Sequence, residues 1–419
     1  MTTSSEKTPE PKAPEPDPQT VTTSGPSRWV EMGRSILTAV LSVFTAILIG
    51  GVLIAATDQD VRDASSYVFA RPQDMLGEAW RAVSEAYLWL FRGAFYDPTQ
   101  AETTRGALTP ISETLVYATP VILTGLAVAL AFRTGMFNIG AQGQMIMGAA
   151  LAGFIGFHYN LPPGIHVALA VVGGALGGAL YGAVAGILKA TTGAHEVIVT
   201  IMLNFIALRF LGFLLSTEGF QAPPYTERKS LTVADDARLP HLFGFLTEGL
   251  RASWGVLIAL AAALVVWWVL ERSTLGFRLR AVGENPDAAR TAGISAGWAY
   301  IAAMTGAGML AGLAGAAQVL GTSSYITSTI DNGAGFDGIT AALLGRGKPL
   351  GVIAAGLLFG ALRSGGQRMS AMTGTPVDIV VVVQALTVLF IAAPALIQGL
   401  YRVRTSSGLG QTTGGKGLA

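Results

Sequence analysis

Three amides, Asn138, Gln142 and Gln144, stand among glycines at 135, 140, 143 and 148 in a stretch otherwise apolar enough to lie in a bilayer. Amides offer directional donors and acceptors to a neutral polar solute. Left unpaired in an apolar medium each costs a few kcal/mol, and each glycine weakens a helix by about 1 kcal/mol relative to alanine. Membrane segments keep such groups where helices pack closely or where irregular backbone lines a cavity. This stretch is therefore the first candidate for handling something that crosses.

Two further sets carry polarity into apolar surroundings. Glu196, Thr200 and Asn204 recur at steps of four and so share one helix face. Glu196 reads as an interfacial cap and Thr200 as bonded to its own backbone, while Asn204, deeper, needs either another helix or a solute. Gln318, Asp331, Asn332 and Asp337 form the other set, beside Gly333, Gly335 and Gly338. Gly335-x-x-Gly338 matches Gly140-x-x-Gly143, and paired glycine-interrupted segments point to the transport site in inverted-repeat carriers. Aromatics stand nearby at Phe137, Phe205 and Phe336. Amides plus a flat apolar face suit a sugar or a base.

Asn285-Pro286-Asp287 is a helix-start signal, with a capping side chain, proline in the first turn and an acid complementing the dipole. Gly293 is a natural stop. The spacing predicts a short helix of about seven residues presenting Ala288, Ala289 and Ala292, with Arg278, Arg280 and Arg290 at hand. Spacing alone fits an exposed loop as well as a docking element. The chain has no cysteine, and its four histidines (158, 166, 195, 241) lack metal-ligand spacing, so no metal site or bound cofactor is expected. Arg363-Ser-Gly-Gly-Gln367 resembles an ATPase signature, but no GxxxxGK[ST] phosphate loop accompanies it, so this chain is not expected to bind ATP.

Helices must position these groups. Of 419 residues, 51% are hydrophobic and only 13% charged, against about 25% charged in a soluble domain. That composition reads as an all-α polytopic membrane protein, and the net charge of +1 gives no reason to expect nucleic acid as a partner. Apolar runs lie near 35–57, 111–131, 137–157, 166–188, 195–216, 253–271, 298–320 and 377–399. Two shorter runs, 335–345 and 350–362, are split by Arg346, Lys348 and Pro349, as two short helices or one re-entrant pair. About ten transmembrane or partly spanning helices result.

The Lys and Arg flanks place both termini inside. Residues 58–110 and 217–252 then face outward, with five bases against eight acids and four against five; Arg363 and Arg368 are exceptions, landing outside. Residues 1–27, rich in proline, read as a disordered tail and 405–419 as a flexible one, flanking a membrane domain over 28–404 with a charged inner loop at 272–297. The acidic, overlong leader argues against a signal peptide, so 35–57 is expected to remain as a first span. An amphipathic pattern within 62–96 predicts a helix lying on the outer interface.

Four blocks resemble the permease subunits of ABC-type simple-sugar and nucleoside importers. They are Ala118-Thr-Pro-Val-Ile-Leu-Thr-Gly-Leu-Ala-Val-Ala through Phe132-Arg-Thr-Gly-Met-Phe-Asn-Ile-Gly-Ala-Gln-Gly-Gln, His195-Glu-Val-Ile-Val-Thr-Ile-Met-Leu-Asn-Phe-Ile-Ala, the run Leu275 to Ile294, and the run Gly335 to Gly351. They come in order across roughly 110–400, and the Glu196-Val-Ile block is most similar to the nucleoside branch. Arg209 departs from the pattern, and its place near the outer end allows snorkelling. The resemblance implies a plasma-membrane importer subunit of bacterial type. Its partners would be a cytosolic ABC ATPase, an external solute-binding (lipo)protein and a second, related permease. Asn285, Pro286, Asp287, Ala288, Ala289, Arg290 and Gly293 would then form the element coupling to the ATPase, and Asn138, Gln142, Gln144, Asn204, Gln318, Asp337, Phe137 and Phe336 the solute pathway. No charge is expected in mid-membrane, which suits a neutral solute, a nucleoside before a sugar. An ion-coupled carrier is the rival, and it would need an ionisable group inside the bundle.

Overall fold

The computed structural model describes residues 28–393, 396 and 399–401. The tails expected at 1–27 and 405–419 lie outside the described residues. Fourteen α-helices follow in order: α1 (Arg28–Thr57), α2 (Gln59–Ser65), α3 (Pro72–Ala94), α4 (Thr104–Phe132), α5 (Ala141–His158), α6 (Ile165–Thr192), α7 (Glu196–Leu214), α8 (Gly255–Arg272), α9 (Thr274–Glu284), α10 (Pro286–Thr291), α11 (Ala296–Gln318), α12 (Ala334–Leu344), α13 (Pro349–Thr373) and α14 (Asp378–Ala392). Among the described residues there are only isolated β-bridges and no named strand.

Among the described residues, seven helices, α1, α4, α6, α7, α8, α11 and α13, are long and apolar enough to cross a membrane. The other three expected segments are shorter or more polar. α12 has 11 residues, about 16 Å, against a hydrocarbon core of about 30 Å. α14 has 15, and α5 has 18 with amides in its first turn. The run expected at 350–362 belongs to a 25-residue helix continuing to Thr373, through Arg363 and Arg368.

α4 is the axis of the bundle, with 83% of its apolar window buried, while α7 lies at the edge with 22%. α6 and α11 meet along a glycine seam so close that a Cβ at Gly178 has no room beside the Gly308 carbonyl. Small residues drive such contacts in lipid, where apolar side chains gain nothing by leaving the tails. The segment 217–252 is irregular and folds over the end of α11, where Val233 N donates to Ser324 O (2.8 Å) and Leu239 N to Leu320 O (2.9 Å).

The helix expected on the outer interface, α3, is anchored to the bundle along one face and leaves Leu76 and Trp80 65% and 76% exposed on the other. The Tyr87 hydroxyl of α3 donates to the Ile47 carbonyl of α1, and the Gly93 carbonyl accepts from Ser364 of α13 at 2.8 Å. Thr114 of α4 donates to Ala94 O at 2.7 Å, and Asp97, just beyond α3, pairs with Arg368 at 3.1 Å. Arg368, which breaks the apolar run of α13, thus has its partner on a segment distant in sequence.

Candidate functional site

α5 and α12 both begin inside the bundle, each after irregular backbone. Thr124 Oγ1 donates to the Ala334 carbonyl at 2.8 Å, and Thr124 lies eight residues, about 12 Å, within the end of α4. One residue on, a Cβ at Gly335 would stand 2.5 Å from the Gln142 Cα, so the first turns of α12 and α5 touch backbone to backbone. Glycine at 335 is what permits this approach.

A carboxylate joins the two starts. Gln142 Nε2 donates to Asp331 Oδ2 at 2.8 Å, and Gly333 N donates to the same oxygen at 3.3 Å. Asp331 is 6% exposed. It therefore sits buried where two helix N-termini converge, and both dipoles favour negative charge there. Arg363 closes the far side, donating to Asn332 Oδ1 at 2.8 Å and lying 3.5 Å from Asp337 Oδ2, while its buried Nε has no partner. This corrects the expectation of an uncharged interior. Residues 331, 337 and 363 are separated in sequence, and only the folded chain shows that Arg363 pairs with Asp337 while Asp331 is held by the Gln142 and Gly333 N–H groups.

The predicted amides divide into two kinds. Asn138 is fully buried, exchanging hydrogen bonds with Gln144 (3.0 and 3.2 Å) and accepting from Gly140 N at 3.0 Å. Asn204 of α7 accepts from Gly143 N at 2.8 Å and donates to Ile139 O at 2.9 Å, so it caps the start of α5. These three are occupied with protein. Gln142 is bonded to Asp331 yet part-exposed, as is Asp337, while Asn332 is exposed and Phe336 is 51% exposed. Phe137 packs on Phe132 with ring centroids 4.9 Å apart, and Gln318 is 3.5 Å from Ser323, so neither joins this junction. Thr200 bonds the Glu196 carbonyl at 2.8 Å and Glu196 pairs with Lys189 at 2.9 Å, both serving the helix end. Sequence reasoning passed over Thr124 and Arg363; the nearness of Arg363 to the ATPase-like Ser-Gly-Gly hid its role as a clamp. Ser364 of that string is buried against Gly93.

The charged loop at 272–297 forms two helices rather than one. Ser273 caps α9, accepting from Gly276 N at 3.0 Å, and Asn285 caps α10 by accepting from Asp287 N and Ala288 N, each at 3.0 Å. Pro286 opens α10, Gly293 at φ +78° ends the turn beyond it, and Arg290 pairs with Asp287 at 3.1 Å. Asp287, Ala288, Arg290 and Ala292 are exposed, but Ala289 is 3% exposed and faces inward. α9 also leans on the loop before α5, where Gly283 leaves no room for a Cβ beside the Arg133 carbonyl. Gly135, at φ +72°, lies 3.4 Å from Gly283 O measured from where its Cβ would be. α9 and the loop that leads into α5 thus meet backbone to backbone at Gly283 and Gly135. Among the described residues, no three His, Cys, Asp or Glu side chains gather to hold a metal.

Comparisons with known proteins agree on one family. Residues 111–392 match the family described as branched-chain amino acid transport system / permease component. The guanosine ABC transporter permease protein NupP of Bacillus subtilis is 39% identical over 76% of this chain and 88% of its own. The nucleoside ABC transporter permease protein NupB of Lactococcus lactis is 35% identical over 70% and 82%. The glucose ABC transporter permease protein TsgB13 of Haloferax volcanii is 30% identical over 87% and 89%. No solved structure matches the chain. With its buried polar junction and its capped α10, the chain belongs to this family of ABC transport permeases, as a multi-pass membrane subunit.

Proposed function

We propose that this permease carries a nucleoside inward across a bacterial plasma membrane, with both termini in the cytosol. The observation that carries the substrate class is the 39% identity extending over most of both this chain and the guanosine permease NupP. The solute passes along the exposed surface beside the α5–α12 junction, where Gln142, Asn332 and Asp337 offer hydrogen bonds and Phe336 a flat face. Asn138, Gln144 and Asn204 hold that surface in place from behind.

ATP is hydrolysed by a separate cytosolic subunit that docks on the exposed face of α10, and α9 hands its motion to α5. An external solute-binding protein delivers the nucleoside, and a second, related permease completes the channel. The interior acids no longer argue against ion coupling by their absence; family membership and the capped α10 carry the ATP-driven reading. The 30% identity to a glucose permease favours sugar as the second reading. Uptake of labelled guanosine, competed by excess nucleosides or by glucose, separates the two. Competition by nucleosides alone supports the proposal, and competition by glucose alone replaces it.

A further inference from the structure

At the end of the bundle where α8, α12 and α14 stop and α13 starts, a cavity of about 750 Å³ opens between the helices. Its rim is charged: Arg272 and Lys348 are exposed there beside Arg346, with Glu271 the single acid. α13 begins at Pro349 with no side-chain cap, adding the positive end of its dipole. The walls are apolar and belong to membrane helices. Trp267 lies five residues, about 8 Å, inside the end of α8; Ile391 is on α14; and Leu350 is 77% exposed beside Lys348.

A ligand that satisfies both parts must carry an anion on an apolar body. A free phosphate would use the rim and leave Leu350 and Trp267 uncovered. A soluble protein docking from water would meet the charges but not the walls. Basic pockets between membrane helices bind anionic lipid headgroups, and tryptophan marks headgroup depth. We infer that this cavity holds an anionic glycerophospholipid of the surrounding bilayer, its phosphate against Arg272 and Lys348 and its acyl chains against Trp267, Leu350 and Ile391. The site is separate from the α5–α12 junction and independent of which solute is carried.

The test uses the full-length chain, purified in neutral detergent with whatever subunits accompany it and stripped of lipid. Cardiolipin, phosphatidylglycerol, phosphatidylcholine or inorganic phosphate is then added, and retained phospholipid is counted by native mass spectrometry beside the unfolding temperature. Retention of the two anionic lipids over phosphatidylcholine is expected, with a higher unfolding temperature that inorganic phosphate does not reproduce. Arg272→Gln with Lys348→Gln, both at exposed positions, should weaken retention by about thirtyfold. Leu350→Asn keeps the charges and should weaken retention as well. Equal retention of phosphatidylcholine, full reproduction by inorganic phosphate, or an unaffected double variant each overturns the assignment. A double variant that keeps its lipid but loses a copurifying ATPase would make the rim a protein contact instead.

Discussion

Gln142 and Asp331 are 189 residues apart in the chain, and their side chains meet at 2.8 Å, joining the starts of α5 and α12. Two segments that enter the bundle separately are thereby tied at their inner tips. Neither helix start can shift without stretching that bond or carrying the other with it.

Gln142→Ala removes the donor and leaves the buried Asp331 with only the Gly333 amide. A buried polar group that loses a partner costs about 1–3 kcal/mol. We expect a lower unfolding temperature together with weaker apparent affinity for solute, because Gln142 also reaches the surface. Uptake per folded protein and unfolding temperature, measured side by side, check this; a fall in stability alone would take Gln142 off the pathway.

Asn204→Ala should behave differently. Asn204 uses both ends of its amide on the backbone at the start of α5 and is 4% exposed. Loss of the cap should cost about 1–2 kcal/mol of stability, with apparent affinity unchanged in the surviving protein. A weaker affinity at normal stability would place Asn204 in contact with solute.

Much of this organisation was readable before folding, and the failures have a common cause. The spans α1, α4, α6, α7, α8 and α11 follow from long apolar runs, Arg209 inside α7 notwithstanding, and the Asn285-Pro286 cap follows from local chemistry. α13 was cut short because Arg363 and Arg368 look prohibitive in a span until Asn332, Asp337 and Asp97 are brought beside them. The amphipathic pattern of α3 is legible in the sequence, but the residues that anchor its far end, Thr114 and Ser364, are remote from it. Likewise nothing local distinguishes Asn138, buried against Gln144, from Gln142, bonded to Asp331 and still part-exposed.

α10 offers a paired test of coupling. Ala288→Asp adds a charge on the exposed face, and should leave abundance normal while reducing ATPase copurification and uptake. Ala289→Asp places a carboxylate where the side chain is buried, so it should reduce folded protein instead. Equal behaviour of the two variants would mean that α10 is not a docking face.

The Asp97–Arg368 pair gives a pH dependence. Burial raises the Asp97 carboxyl, but hydrogen bonds from Thr99 and then the Arg368 guanidinium outweigh it and hold the group below its ordinary range. A depressed folded value means its stabilisation is fully present above about pH 4 and is lost as pH falls through the folded value. Asp97→Asn should therefore lower the unfolding temperature at pH 7, with the gap to the native chain constant from pH 5 to 8 and closing toward pH 3, as followed by thermal melts. A gap that changes between pH 6 and 8 would assign the effect to another group.

The most direct measurement is labelled guanosine uptake by intact cells, with the partner ATPase inactivated in one arm and the proton gradient collapsed at constant ATP in the other. The proposed function predicts that uptake stops in the first arm and continues in the second. Uptake that persists without the ATPase and disappears with the gradient would contradict the account, and would recast Asp331 and Asp337 as ion-coupling groups.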